Sequence, residues 1–240
     1  MLHLQGPNES LLYTGDFKLR SGRTVEPAEP MRADWLLMES TYGLPMFRFP
    51  PRAVVETELI ERCHAAIQVG RQPLVFGYSL GKAQEIIAIL HSGGLNVTAH
   101  GSIHSICAIY QEAGVELGPV RKYAAADFHG PKQLDLAERG VLVAPPSAAR
   151  GAFSDRFDNP LKIVMTGWAL QKGAQYRYGV DAALPLSDHA DFDELLELID
   201  IVKPKKILTH HGFPQFAEHL RMRGLDARLA KPDPQMDLFP

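Results

Sequence analysis

The chain has 240 residues, 45% of them apolar and 22% charged, with a formal net charge of −3. That length buries a sizeable core as one large domain or two small ones, and the composition excludes a disordered chain and a globally basic nucleic-acid binder. A local basic groove remains compatible with a neutral whole. Cys63 and Cys107 show neither metal-type spacing nor a disulfide framework, the pattern of a reducing cytoplasm. The first residues, MLHLQGPNES, do not read as a signal peptide, and no run approaches the roughly 18 apolar residues of a membrane helix.

Residues 1–5 alternate apolar and polar, 6–10 supply turn residues, and 11–14 resume as a strand. The hairpin opens as if in the middle of a sheet. Residues 35–39 form a third short strand, followed by STYG. From about Leu44 the pattern changes: helix at 52–69, buried strand at 73–78, amphipathic helix at 80–91 closed by Gly93 and Gly94. Strand-like 96–100, helical 103–112, and the short apolar strands 140–144 and 162–165 follow, with a polar loop at 148–160. Strands alternating with helices predict a parallel, doubly wound sheet. After an irregular stretch come strand 182–186, helix 191–201, strand 206–210, helix 216–223 and strand 227–229. The tail 231–240 is expected to be mobile. No internal repeat is present.

Three polar clusters follow apolar strands: Gly15 and Asp16 after LLYT; Ser187, Asp188 and His189 after AALPL; His210, His211 and Gly212 after KKILT. Ligands gather at the carboxyl ends of strands in such sheets, and carboxylates with histidines suit zinc or manganese. Singly, each has an ordinary reading. Asp16 serves as a turn residue, Asp188 or Asp191 as a helix cap, and His189 as a satisfied polar side chain. His210 and His211 face opposite sides of a strand, so only one enters a given site.

Together they carry a resemblance. YTGDF, LLMESTYG, LSDHADF and ILTHHGF, in that order, resemble the motifs of β-CASP nucleases, metallo-β-lactamase-fold enzymes that cut DNA or RNA. The likeness runs over essentially the whole chain. FGYSLGKAQE and VMTGWAL are similar to segments of short bacterial members, the exonuclease-like proteins associated with DNA ligases, also labelled mRNA 3′-end processing factors. The resemblance implies a partial αββα sandwich from residues 1–43 and 169–240, with an inserted doubly wound β-CASP domain at 44–168. It implies two divalent metals, zinc or manganese, bridged by Asp16 and held also by His211. His189 would contact the scissile phosphate as general acid, supported by Glu39. Ser79, Lys82 and Ser187 would contact the substrate, a DNA end or RNA, with ligase-associated repair proteins as partners. Asp16, His189 and His211 are expected within about 10 Å of one another.

One departure matters. The family's HxHxDH motif, and a further histidine before the strand leading to GDF, are absent; His3 lies in no matching motif. Two ligands remain where a catalytic zinc takes about three from the protein. Weak metal binding, slow cleavage and aggregation through Leu2, Leu4, Leu11 and Tyr13 are therefore expected, as for a chain lacking an upstream segment.

Two other readings compete. Gly77-Tyr78-Ser79-Leu80-Gly81 fits the G-x-S-x-G nucleophile elbow between strand and helix, with Asp188 and His211 in hydrolase order. Against it, few strands precede Ser79, and Lys82 with Gln84 suggest a helix N-terminus receiving phosphate. Plain capping of that helix by Ser79 is the ordinary alternative. The third reading is a β-CASP-like module that binds nucleic acid or a partner without cutting.

Overall fold

The structure, a computed structural model, describes residues 1–131 and 133–230, and the expected mobility of the tail lies outside them. The chain divides into two compact units: residues 1–21, 27–48 and from Asp188 on, and residues 22–26 with 49–187. It opens with strands β1 (Leu2–Gln5) and β2 (Ser10–Tyr13), an antiparallel hairpin, then β3 (Trp35–Glu39).

In the second unit α1 (Arg52–Gln68) starts after Pro51 and buries Val55, Leu59, Cys63 and Ala66, one stripe at helical spacing. There follow β4 (Pro73–Phe76), α2 (Lys82–Ser92), β5 (Val97–Ala99), α3 (Gly101–Glu112), β6 (Val120–Lys122), α4 (Ala125–Phe128), α5 (Leu136–Arg139), β7 (Val141–Ala144), β8 (Leu161–Met165), α6 (Ala174–Tyr178) and β9 (Ala182–Leu184). The sheet is all parallel, in the order β6-β5-β7-β4-β8-β9. Its central strands are apolar on both faces. Val75, Val143 and Ile163 join one core with Leu59, Ile87 and Ile103, while Phe76, Leu142 and Val164 join another with Phe128 and Phe157. Apolar residues at consecutive positions are what a sheet covered on both sides requires.

The chain then returns to the first unit with α7 (Phe192–Val202), β10 (Lys206–His210), α8 (Pro214–Met222) and β11 (Ala227–Leu229). The five-stranded order is β1-β2-β3-β10-β11, parallel beyond the hairpin. Leu12, Leu36 and Ile207 pack from the sheet against Leu195, Leu198 and Ile199 of α7 and Phe216 and Leu220 of α8. Among the described residues nothing covers the opposite face. Leu2, Leu4 and Tyr13 are exposed, and Leu4, Leu11, Trp35, Leu37 and Leu208 line a groove of about 420 Å³.

Four differences from the sequence reading have clear causes. Strand β9 pairs in parallel with β8, Ile163 opposite Ala182 and Met165 opposite Leu184, so the second unit runs to Ser187 rather than to 168. Residues 44–48 stay with the first unit, where the Phe47 carbonyl accepts the Phe192 N–H at 3.0 Å. The short stretch 22–26 belongs to the second unit because buried Glu85 accepts the Arg23 and Thr24 N–H groups at 2.9 and 3.0 Å, a tie no local pattern announces. Strand β6 was missed because Val-Arg-Lys, half-exposed or exposed throughout, carries no apolar run.

Asp34 anchors the start of β3. It pairs with Lys205 at 2.8 Å and accepts the Ser10 N–H and hydroxyl at 2.9 and 3.0 Å. The Lys205 ammonium first, then the Ser10 donors, hold its carboxyl at about 2. A depressed carboxyl stabilises the fold above its unfolded value and loses that contribution as pH falls through its folded value. Asp34→Asn is therefore expected to be less stable than the parent at neutral pH. The gap should close between about pH 4 and the folded value, followed by circular dichroism in an acid titration. A gap that persists unchanged at the acid end would remove this role.

Candidate metal centre

Two strand ends and one helix start of the first unit supply the polar residues. Gly15, at φ +57°, turns the chain after β2 and presents Asp16, whose side chain is 65% exposed. β3 ends at Glu39, wholly buried. His189 lies two residues before Asp191, the N-cap of α7, which accepts the Glu194 N–H at 2.9 Å in a capping box. So Asp191 does cap a helix, as its ordinary reading held, and by doing so it fixes the approach of His189.

Asp16, Glu39 and His189 each bring a donor atom within 4.8 Å of the others. His189 Nδ1 is 3.0 Å from Glu39 Oε1, and Nε2 is 3.9 Å from Asp16 Oδ2. The imidazole is thus oriented by one carboxylate and faces the other. Burial alone would raise the Glu39 carboxyl. His189, with the Thr41 side chain and the Phe17 N–H at 3.3 Å, outweighs it and holds Glu39 below the usual range. An ionised Glu39 fixes the tautomer and angle of His189.

Sequence reasoning missed Thr41. Its hydroxyl stands 3.4 Å from His189 Nδ1 and donates to the His211 carbonyl at 3.1 Å, joining the ends of β3 and β10. The signal was present in STYG, but a threonine there reads as a turn residue.

His211 stands outside the donor cluster among the described residues. It is exposed at φ +50°, and its ring meets that of His210 edge-on at 4.7 Å. His210 faces Tyr13, ring centroids 5.8 Å apart, with Nε2 buried and without a hydrogen-bond partner among the described residues. Burial, then the neighbouring His211, lower its pKa against Glu39 and Asp16.

In the second unit Ser79 does not cap α2. The N-cap is Gly81, at φ +79°, with no side-chain cap. Ser79 Oγ lies 3.4 Å from Ser102 Oγ, which lies 2.9 Å from His100 Nδ1. Lys82 is buried, and its ammonium donates to the Leu186 carbonyl at 3.2 Å, tying α2 to the residue before half-buried Ser187. Because the cap is elsewhere, Ser79→Ala is expected to move the unfolding midpoint by no more than about 0.5 kcal/mol equivalent. The ~1 kcal/mol loss of a true cap would contradict it. Both cysteines are free and buried; burial pushes the Cys63 thiol to about 12, which removes it as a nucleophile.

The donor chemistry fits a divalent cation in part: Asp16 offers an open carboxylate oxygen beside the His189 ring, while Glu39 is engaged in orienting that ring. Residues 177–229 match the Zn-dependent metallo-hydrolase RNA specificity domain. A probable DNA ligase of Opitutus terrae is 41% identical over 97% of this chain, which spans 22% of that protein. An RNase J-like protein of Methanocaldococcus jannaschii is 27% identical over 88% of the chain, 60% of its own length. The fold is shared with a protein of unknown function from Enterococcus faecalis, TM-score 0.56 at 18% identity, covering 96% of this chain and 58% of that one. The chain belongs to the β-CASP metallo-β-lactamase family, a family of nucleases. Its fold is the α/β arrangement that the resemblance implied: part of the metallo-β-lactamase sandwich and a doubly wound β-CASP domain.

Proposed function

We propose that this chain supplies part of the active site of a metal-dependent phosphodiesterase that trims DNA ends exonucleolytically. The observation that carries it is the Glu39–His189–Asp16 line, a buried carboxylate orienting an imidazole whose Nε2 faces a second, open carboxylate. Two divalent cations, zinc or manganese, supply charge neutralisation on the phosphate and activation of water when bound. Asp16 is assigned to hold them, with His211, joined to the cluster through Thr41, as a further nitrogen donor. His189 Nε2 protonates the leaving oxygen, and Glu39 stabilises the imidazolium that precedes transfer. Ser79, Lys82 and Ser187 are assigned to the substrate side, Lys82 through the position it gives the segment before Ser187. With few protein donors in the described cluster, metal binding is weak and turnover slow.

DNA is favoured by the ligase relative, and a repair setting in a reducing cytoplasm accompanies that reading. The RNase J-like relative and the RNA specificity match keep RNA as the second substrate to compare. The deciding experiment presents DNA and RNA of one sequence, labelled at either end, with manganese or zinc. Mononucleotide release from DNA, abolished by chelator, supports the proposal. Cleavage of RNA alone replaces the substrate; no metal-dependent cleavage of either leaves the non-catalytic binding module. Hydrolysis of an activated ester lost in Ser79→Ala would instead favour the serine hydrolase.

A further inference from the structure

The start of α7 does more than begin a helix. A capping box needs one Glu194 oxygen, and Oε2 fills that need by accepting the Asp191 N–H at 3.2 Å. The other oxygen, Oε1, accepts the N–H groups of Leu19 and Arg20 at 3.0 and 2.8 Å, across more than 170 residues of sequence. Arg20 returns the tie: its Nη2 donates to Asp191 Oδ2 at 2.6 Å, and its Nε lies 3.5 Å from Glu194 Oε1. Asp191 and Glu194 are 1% and 4% exposed, so these bonds are made away from competing water.

The tied segment carries Asp16. Between Asp16 and Arg20 the chain is pinned twice, by Phe17, buried with its N–H on Glu39, and by Leu19 and Arg20 on Glu194. Lys18 also stands 4.0 Å from Asp188. Asp16 itself is largely in solvent, so its place depends on the main chain that follows it. The same helix start holds His189, two residues before Asp191.

We infer that Glu194 is a positioning residue: through its second oxygen it sets the distance between the Asp16 carboxylate and the His189 imidazole. This rests on the metal-site reading above and extends it to a residue that touches neither metal nor substrate. The test is Glu194→Gln, whose single carbonyl oxygen serves either the cap or the Leu19–Arg20 pair but presents an N–H to the other. Manganese affinity, read by electron paramagnetic resonance, is expected to fall about 10-fold or more, and kcat by a similar factor with KM little changed. Amide exchange at Leu19 and Arg20 should rise while that within α7 stays slow. Leu198→Ala, which loosens the same helix from its core, controls for stability alone and should leave manganese affinity as in the parent. Arg20→Ala keeps both backbone bonds and should be milder. A parent that binds manganese and cleaves, with Glu194→Gln unchanged in both, overturns this inference and leaves the nuclease reading standing. A Leu198→Ala protein that loses affinity equally also overturns it. A parent that neither takes up manganese nor cleaves overturns the nuclease reading, and this inference with it.

Discussion

Replacing His189 with alanine is expected to lower kcat for phosphodiester hydrolysis by ~10²- to 10⁴-fold, the usual range for removing a positioned proton donor. The argument is geometric. Nδ1 is engaged at 3.0 Å by a carboxylate with no exposure to water, so the ring keeps one tautomer and one direction. Nε2 faces Asp16 at 3.9 Å, on the side assigned to the substrate. Removing the ring also leaves Glu39 buried without its principal partner, so a modest loss of stability should accompany the loss of rate. KM should change far less than kcat, because substrate contacts assigned to Ser79 and Ser187 are untouched. Single-turnover cleavage of labelled DNA decides it. A variant within a factor of about three of the parent would take the general-acid role away from His189.

The second large effect is structural. At Gly212 a Cβ would stand 1.8 Å from the Ser40 carbonyl oxygen and 2.2 Å from its carbon. Ser40 has little room to retreat: it is buried, its N–H donates to the His210 carbonyl at 2.9 Å, and β3 and β10 are laddered just before it. Gly212→Ala is expected to cost ~3 kcal/mol or more, at or beyond the upper end of ordinary overpacking, since backbone rather than a side chain must move. The displacement would fall on His211 and Thr41, so metal affinity should fall with stability. Urea unfolding measures the first. Gly101→Ala, where a Cβ meets nothing within 4 Å at a helix start, provides the neutral comparison. Equal midpoints for the two variants would mean that the close approach of Gly212 to Ser40 is not a constraint.

Much of the architecture was visible in hydrophobic periodicity. Trp35–Glu39, Lys206–His210 and Ala227–Leu229 lie where apolar runs placed strands, and α1 and α7 begin and end within a residue of the stretches read as helical. The short edge strand β6 was not visible, because it packs too little to need apolar residues. The site was legible only as an ordered set of motifs. Asp16 and His189 each have an ordinary local explanation, and only tertiary structure brings their donor atoms and that of Glu39 within 4.8 Å of one another. Glu194 shows the limit most clearly. Its spacing from Asp191 announces a capping box, yet nothing in that spacing tells where the second oxygen points. Nor did strand alternation foretell that His211 would leave the ladder in a left-handed turn, its ring against His210 instead of in the cluster.

The open face of the five-stranded sheet has a consequence at the bench. Hydrophobic dyes such as anilinonaphthalene sulfonate brighten where rings find apolar surface, and their brightening is commonly taken as a sign of a loosened, molten state. Here Leu4, Leu11, Trp35, Leu37 and Leu208 present such a surface in the folded chain. Native protein should therefore fluoresce with the dye before any denaturant is added, and the signal should fall, not rise, as the strands come apart.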